Sequence, residues 1–538
     1  MVFARRSTTL LAAIIASCAM VLSLTACTSD NKTVVDGQTT VTSNSAGGVA
    51  VFTPSDGITL NQQMPLNKWA KLVPDLTKAL VDAGFKKGDI DHTTSDSLDK
   101  QSRAIQDFVV DHLSNNTTDD SGIAIAPDNM TLLVAPVVEA DASTRQYGDY
   151  VSQNLSTNDV TDGEATSDGE SSEDDSSNTE SDSTASDEQA QAVDRLVSSL
   201  KLAKESGMHV VLLGNSIEGY KPDAFVKFSD AQTIGKLQAE KMVSKLKLDK
   251  ASKDNPKYIE VLLPYTAVDE KGNVNDSTFA QEAFRGIWQV LGSYYQKGVV
   301  ESPSGTLDGK STENDWQAVA YDAAKEGSTA KVLDKRLAKT DGQSTLTRID
   351  GIITMNDYIA SEVVKELDDL GYTGSAADIN PQITISGIVG NITGKKDLSR
   401  DAVPDPIKSP ENDNANDSSS SDDDADEDTS ASDKDRDSQW PLVTGYGAYV
   451  SNIPSIVNGK QWMTGMEDRQ TIATDIAQAC AKLNKDEALN SMPSIRNSEV
   501  GGVKKIPTIS EPLLAVSASN LKSALIDPGY ISLADAGL

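Results

Sequence analysis

Few residues of this chain are of the types that carry out covalent or metal chemistry. Its 538 residues include three histidines and three cysteines, without an HExxH or CxxC motif. His92, His112 and His209 fall in a predicted loop, a helix and the start of a strand, so their positions do not indicate a metal site. The segment "GNSIEG" around Ser216 lacks the G-x-S-x-G spacing of a nucleophile elbow. The sequence therefore argues against an enzyme, and we expect no cofactor and no metal.

Cys27 stands at the end of an apolar N-terminal segment. Two arginines precede the apolar stretch 10–24, as in a secretory signal peptide. The order Leu-Thr-Ala-Cys at 24–27 resembles the bacterial lipobox, in which the cysteine is alkylated with diacylglycerol and the preceding peptide is removed. We therefore expect 1–27 to be a lipoprotein signal peptide whose lipidated Cys27 anchors the protein to the extracellular face of the cell membrane. An ordinary secretory signal with a chance cysteine is the alternative.

One cysteine remains free in the mature chain that this interpretation implies. Cys18 lies in the signal and Cys27 carries lipid, which leaves Cys480 and no internal disulfide. Cys480 lies in "IATDIAQACAKL", whose apolar spacing is helical, so we expect a buried structural thiol. Residues 28–47 are rich in Ser, Thr, Asn and Gly and predict a flexible tether.

Negative charge is concentrated in two runs. The chain has 48 Lys or Arg and 81 Asp or Glu, a net charge of −33, which argues against nucleic-acid binding. Residues 159–188 hold twelve acidic residues and no basic one, and 411–437 hold twelve acidic and two basic residues. Neither run has enough apolar residues to offset its ordering entropy, so we expect disordered acidic insertions at 154–190 and 402–438. The stretch "DDDADED" lacks the EF-hand spacing, which leaves at most diffuse cation binding.

Short apolar runs alternate with amphipathic helical segments in two successive units. The predicted strands of the first unit are "GVAVF", "SGIAIAP" and "HVVLLG". Those of the second are "KYIEVLLP", "VVESPSG", "IDGIITMND" and "WPLVTGYG", whereas "PQITISGIVG" is either a further strand or an extra segment. Continuous apolar strands separated by helices predict parallel sheets covered on both faces. The sequence thus predicts an α/β protein of two doubly wound Rossmann-like lobes, with a ligand site between them at the carboxyl ends of the strands.

Several segments of the chain resemble the type I periplasmic sugar-binding proteins, in particular the xylose and multiple-sugar binders of ABC importers. They are "AGF" (83–85), "KFSDAQTIGKLQAEKMV" (227–243), "IITMNDYIASEVV" (352–364), 441–478 and 501–530. The resemblance implies a lipid-anchored capture protein of a Gram-positive bacterium, which closes its lobes around a sugar and delivers it to ABC permease subunits. The alternative is a sensing or interaction lipoprotein of the same fold with a non-sugar ligand or none.

The resemblance also implies a hinge of three crossings between the lobes. We expect these crossings near Asp230, near Gly445 to Gly447 and near Glu467 to Asp468. The implied domains are an N-terminal lobe at 48–230, a C-terminal lobe at 231–447, a return to the N-terminal lobe at 448–467, and the C-terminal lobe and tail at 468–538.

Ligand-binding residues are implied by the same resemblance. "NKW" matches a basic residue followed by tryptophan, which makes Lys68 a hydroxyl donor and Trp69 a stacking platform. The alternative for Trp69 is the first apolar residue of a helix. The other implied ligand-binding residues are Asp128, Asp230, Asn275, Asn356, Asp357 and Tyr446. For Asp128, a helix cap is the alternative.

Two positions depart from the pattern of these sugar binders. Asn215 and Ser216 stand where an Asp-Arg pair usually follows the fourth strand, and Tyr446 and Gly447 stand where the second crossing usually carries Gln-Asp. Arginine holds two hydroxyl groups with a rigid fork, which neither Ser216 nor Gly447 can replace. The solute is therefore a different sugar, a larger or less polar molecule, or none.

Overall fold

The computed structural model describes residues 46–55, 65–115, 125–138, 146–151, 153–156, 180–268, 276–323, 325–338, 346–377 and 438–538. Residues Ser45–Leu538 form one unit by their contacts. Cys27, Asn275, the segment "PQITISGIVG" and most of the tether and of both acidic insertions lie outside the described residues. The expectations for them remain predictions.

The helices and strands are numbered here in chain order. The helices are α1 Trp69–Asp82, α2 Leu98–Asn115, α3 Glu180–Glu205, α4 Ala231–Lys245, α5 Thr278–Gln296, α6 Trp316–Val319, α7 Ser328–Arg336, α8 Asp357–Leu370, α9 Ile453–Val457 and α10 Arg469–Leu483. The strands are β1 Gly48–Pro54, β2 Ile90–Ser95, β3 Met130–Val134, β4 Asn154–Leu155, β5 His209–Leu213, β6 Ser216–Ile217, β7 Ala224–Lys227, β8 Lys257–Val261, β9 Leu263–Pro264, β10 Val300–Glu301, β11 Ala320–Tyr321, β12 Gly351–Ile353, β13 Leu442–Tyr446, β14 Met463–Met466, β15 Ile495–Val500, β16 Val503–Ser510 and β17 Leu514–Ser517.

The first lobe is built on a sheet with the strand order β15–β16–β7–β5–β3–β1–β2. Neighbouring strands in this sheet are parallel, except that β15 and β16 are antiparallel to each other. Side chains alternate between its two faces. Val49 and Val51 contribute to the core shared with α1 and α10, whereas Ala50 and Phe52 contribute to the core shared with α2 and α3. Helices therefore cover both faces, as the apolar strands predict.

The second lobe is built on a sheet with the order β10–β8–β12–β13–β14–β17, in which β17 is antiparallel to β14 and the other neighbours are parallel. Two glycines allow α4 and α5 to pack backbone to backbone. A Cβ added to Gly235 would overlap the carbonyl oxygen of Ala283, and one added to Gly286 would overlap that of Gln232. The fold class, two doubly wound α/β lobes, is confirmed.

The chain passes between the two lobes at three places within the described residues. β7 of the first sheet is followed by α4 in the second lobe, β14 of the second sheet by α10 in the first, and β16 of the first sheet by β17 in the second. The expected crossing near Gly445 to Gly447 is wrong, because β13 and β14 are hydrogen-bonded neighbours in one sheet. Residues 448–467 therefore stay with the second lobe, 468–510 belong to the first lobe, and the tail from 511 returns to the second.

Two elements of the first lobe differ from the sequence-based expectation. Of the strand expected at "SGIAIAP", residues 121–124 lie outside the described residues, Ile125 and Ala126 are not in a strand, and Pro127 begins a 3-10 turn that leads into the buried strand β3. The expectation of disorder is wrong for both ends of the first acidic insertion, 154–190. Leu155 is buried and pairs with Ile217 at one end, and α3 begins at Glu180 at the other.

Two further observations concern the free cysteine and the length of the helices. Cys480 lies in α10 and is buried, which confirms the structural thiol predicted for it. Among the described residues, no helix is both long and apolar enough to span a membrane.

Candidate functional site

A buried cluster joins the two lobes where the chain crosses between them. Ser229 follows β7, Tyr446 ends β13 and Glu467 follows β14. The backbone N–H of Ser229 donates to Glu467 Oε1 (2.6 Å), and the hydroxyl groups of Ser229 and Tyr446 are hydrogen-bonded. Burial raises the pKa of Glu467 to about 7, although hydrogen bonds from Ser229 and Tyr446 oppose this. Tyr446, an implied ligand residue, is thus fully buried and serves this hinge cluster.

Residues 146–151, called the bridging segment below, lie against the start of α1 in the first lobe. The N–H of Asp149 donates to the carbonyl oxygen of Asn67 (2.8 Å). Lys68 Nζ donates to Asp149 Oδ1 (2.8 Å), and the N–H of Trp69 donates to Asp149 Oδ2 (3.1 Å). The Tyr150 hydroxyl donates to the carbonyl oxygen of Lys68. Lys68, an implied solute ligand, is therefore engaged by a carboxylate of the chain itself.

The bridging segment also contacts the second lobe. Asn356 Nδ2 donates to Gln146 Oε1 (3.1 Å), and the Tyr449 hydroxyl donates to the Gln146 carbonyl oxygen (2.8 Å). The Tyr147 ring lies 4.7 Å from the Phe279 ring and 6.3 Å from the Tyr446 ring, measured between centroids. The segment therefore occupies the space between the lobes and is bound by both.

Trp69 does not present an exposed ring face. It is the first residue of α1 and is 2% exposed. Its ring meets those of Tyr150 and Phe228 edge-on, with centroids 5.1 and 5.8 Å away. Since the other buried residues of α1 recur at helical spacing on the same face, Trp69 is the first apolar residue of that face. The structure thus places it in the core of the first lobe.

Asn356 and Asp357 lie at the carboxyl end of β12, as expected, and both are buried. Asn356 caps α8, with Oδ1 accepting from the N–H of Ile359 (2.9 Å). Asp357 accepts from Gln461 Nε2 (2.6 Å) and Thr464 Oγ1 (2.8 Å). Burial raises the pKa of Asp357 to about 6. Asp357 therefore ties β12 to β14, whereas the amide of Asn356 reaches the bridging segment.

The remaining implied ligand residues lie elsewhere. Asp230 caps α4 by accepting from the N–H of Thr233 (2.7 Å) and forms an ion pair with Lys227. Asp128 is exposed in the turn that precedes β3. It therefore lies at the amino edge of the parallel sheet, opposite the carboxyl ends, and its placement at the cleft is wrong. Asn275 lies outside the described residues.

Asn215 and Ser216, which stand where the sugar binders have Asp-Arg, hold the chain that follows the bridging segment. Asn215 Oδ1 accepts from the N–H of Gln153 (3.0 Å), and its Nδ2 donates to the Pro136 carbonyl oxygen (2.9 Å). Ser216 Oγ donates to Asn154 Oδ1 (2.8 Å), and β6 pairs with β4. This departure therefore coincides with the docking of residues 153–155.

Three features of the site were missed by the sequence reasoning. Asn67 is 1% exposed, and its Nδ2 has no hydrogen-bond acceptor among the described residues, while its Oδ1 accepts from the N–H of Glu467 (3.3 Å). Met355 and Ala448, after β12 and β13, have φ values of 68° and 50°, a conformation that concentrates at functional sites. The bridging segment carries no periodicity that predicts an element. Asn67 could have been found from the sequence, because it stands in "NKW" directly before the two residues that were singled out there.

The site brings together hydrogen-bond donors and aromatic rings. Among the residues described, no group of three His, Cys, Asp or Glu is placed to hold a metal ion. Amide, ammonium and phenol donors from both lobes converge on one short segment, next to a cluster of aromatic rings. Such a set of groups recognises a polar molecule that also has apolar faces.

Solved structures of sugar-binding proteins of ABC transporters are similar to this chain over most of its length. The solute-binding protein of an ABC transporter from Clostridium phytofermentans, solved with β-D-glucose, is 17% identical over 91% of this chain and 99% of that chain, with a TM-score of 0.43. A carbohydrate transporter solute-binding protein from Chloroflexus aurantiacus, in complex with D-glucose, is 18% identical over 92% and 98%, with a TM-score of 0.44. A periplasmic ribose ABC transporter protein from Conexibacter woesei is 13% identical over 90% and 96%, with a TM-score of 0.41. No family model and no curated protein matches the chain.

The strand orders of the two sheets and the three crossings define a two-lobed α/β fold. This is the architecture of the type I periplasmic binding proteins that the sequence resembles, as predicted.

Proposed function

We propose that this protein is an extracellular solute-binding protein, anchored through lipidated Cys27, that captures a sugar between its lobes and delivers it to the permease subunits of an ABC importer. The observation that supports it most is the convergence of donors from both lobes on one place. Lys68 comes from the first lobe, and Asn356 and Tyr449 come from the second. A molecule held by donors of both lobes favours the closed form.

The groups that these donors now bind are hydrogen-bond acceptors, as the hydroxyl oxygens of a sugar are. Lys68 binds a carboxylate oxygen, and Asn356 and Tyr449 bind amide and carbonyl oxygens of the bridging segment. Sugar hydroxyl groups accept the same hydrogen bonds, and the apolar C–H face of a sugar ring would pack on an aromatic ring such as that of Tyr446, in the place that Tyr147 takes now. Asn67 Nδ2, which has no acceptor among the described residues, is one further donor.

The test is a thermal-shift screen of the chain from residue 28 onward against pentoses, hexoses and oligosaccharides, followed by titration calorimetry. A sugar that binds the folded form and is present at a hundred times its Kd stabilises it by about 2.7 kcal/mol. The matched control is the mirror-image sugar at equal concentration, which shares every bulk effect on water but not the fit to a chiral site.

We expect one sugar to raise the Tm and to bind with a stoichiometry of one per chain, while its mirror image does neither. Equal shifts from both enantiomers, or no shift across the panel, would refute sugar capture. The second result would favour a sensing or interaction lipoprotein, because the bridging segment already joins the lobes without a solute.

A further inference from the structure

We propose that the bridging segment is a tethered competitor of the solute, which closes the lobes when no solute is bound and is displaced when one binds. This inference rests on the proposed function, because it states how the same site is regulated. Three observations support it: the way in which the segment joins the lobes, the residues that it uses, and a glycine that lets it fit.

The segment joins the lobes through side chains that enter different cores. Tyr147 and Val151 are buried in the core of the second lobe, together with residues of α4, α5 and β8. Tyr150, between them in sequence, is buried in the core of the first lobe and stacks on Phe228 with centroids 4.8 Å apart. Separation of the lobes must withdraw one set of these side chains. The segment therefore stabilises the closed form in the way that a bound solute would.

The segment uses groups that the solute would need. The Lys68 side chain is 14% exposed, its Nζ lies 2.8 Å from Asp149 Oδ1, and the Asn356 amide donates to Gln146. Tyr147 lies beside Tyr446 and takes up the space between the lobes. The same donors and the same volume cannot serve a sugar and the segment together. Binding of the two is therefore mutually exclusive.

A segment that belongs to the same chain competes at a high effective concentration, because its binding is intramolecular. The apparent Kd for the solute equals the intrinsic Kd divided by the fraction of molecules in which the segment has left. The protein would consequently bind solute more weakly than its ligand-binding groups allow, and a change that loosens the segment would tighten solute binding.

Gly148 offers a way to loosen the segment without removing a solute ligand. Its φ is +100°, and an added Cβ would lie 2.6 Å from the carbonyl oxygen and 2.7 Å from Cβ of Asn67. Gly148→Ala therefore forces the segment away from the first lobe. The matched control is Gly371→Ala. Gly371 has a φ of +94° at the end of α8, but no atom lies within 4 Å of an added Cβ, so it reports the strain of the backbone alone.

The experiment uses the chain from residue 28 onward, which includes the whole unit Ser45–Leu538. Small-angle X-ray scattering without sugar measures the radius of gyration of wild type, Gly148→Ala, Gly371→Ala and Tyr147→Ala, each checked for folding by circular dichroism. Calorimetry then gives the Kd of each variant for D-glucose, D-xylose and D-ribose. Tyr147→Ala tests the same inference by loss of a contact, should Gly148→Ala fail to fold.

We expect Gly148→Ala and Tyr147→Ala to have larger radii than wild type without sugar and to bind the sugar at least tenfold more tightly, while Gly371→Ala matches wild type in both. Equal radii and equal Kd values in all folded variants would refute the proposal that the bridging segment competes with the solute, and would leave sugar capture intact. Larger radii with no binding of any sugar would refute the proposed function and the competition with it. The segment would then be a structural element that holds the lobes together without a role in ligand binding.

Discussion

Glu467 provides a sharp test of the hinge cluster. Its carboxyl group is fully buried where the chain crosses from the second lobe to the first, and it accepts from the N–H of Ser229 (2.6 Å). Burial raises its pKa from 4.5 to about 7. Between these two values the folded chain keeps a proton that the unfolded chain has released. The contribution of Glu467 to the free energy of unfolding therefore falls as the pH rises from 4.5 to above 7.

The magnitude follows from the shift of the pKa. One pKa unit corresponds to 1.36 kcal/mol, so a shift from 4.5 to about 7 costs the wild-type protein about 3 kcal/mol of stability at pH 8.5 relative to pH 4.5. Glu467→Gln is neutral at every pH, and its amide oxygen can still accept from Ser229. We therefore expect the variant to match wild type within about 1 kcal/mol at pH 4.5 and to exceed it by about 3 kcal/mol at pH 8.5.

The assay is unfolding by guanidinium chloride at pH 4.5, 6.5 and 8.5, with the variant compared with wild type at each pH so that titration of other groups cancels. Glu499→Gln, a substitution at an exposed glutamate of β15, is the control for loss of a carboxylate as such. A stability difference for Glu467→Gln that is the same at all three pH values would refute a buried carboxyl at the hinge that protonates near neutrality.

Three other outcomes are expected from single substitutions. His112 is 2% exposed with both ring nitrogens unpartnered among the described residues, and burial lowers its pKa, so the contribution of His112 to stability should fall as the pH drops below about 6.5. His112→Phe should remove that fall, as measured by urea unfolding at pH 5 and 7.5. Gly235→Ala should push α4 away from the carbonyl oxygen of Ala283 and cost about 1–3 kcal/mol of stability, seen as a lower Tm, whereas an unchanged Tm would contradict the close helix packing. Cys27→Ser should abolish incorporation of radiolabelled palmitate and release the protein from the membrane fraction, and continued labelling would refute the lipidation site.

The periodicity of the sequence predicted the architecture well where strands are buried on both faces. β1, β5, β8 and β12 are apolar runs that the pattern predicted as strands, and each of them pairs in parallel with its neighbours in the sheet. β2 was missed because four of its six residues are exposed at the edge of the sheet, which leaves no apolar signal. The crossing near Gly445 to Gly447 was misplaced because it was taken from the resemblance, whereas in this chain β13, which contains Gly445, pairs with β14 of the same lobe.

The candidate site was harder to predict, because its residues have structural roles as well. Trp69, Asp230 and Asp357 lie in or beside the elements expected, yet they are used for a core, a helix cap and a link between strands. Residue type cannot separate these roles from ligand binding. Residues 146–151 were invisible to the sequence reasoning, since a short mixed segment that is bound by both lobes needs neither periodicity nor length.

The departures from the sugar-binder pattern and the bridging segment are best understood as one change. Asn215 and Ser216 replace the expected Asp-Arg pair, and both bind residues 153–154, just after the segment. An arginine at 216 would have to share its space with β4, which pairs with β6 there. Ser216→Arg alone should therefore displace residues 154–155 but gain little sugar affinity, because the bridging segment still occupies the space between the lobes. Combined with Gly148→Ala, it should bind sugar more tightly than either single variant predicts. Additive effects in calorimetry would show that position 216 and the segment act independently.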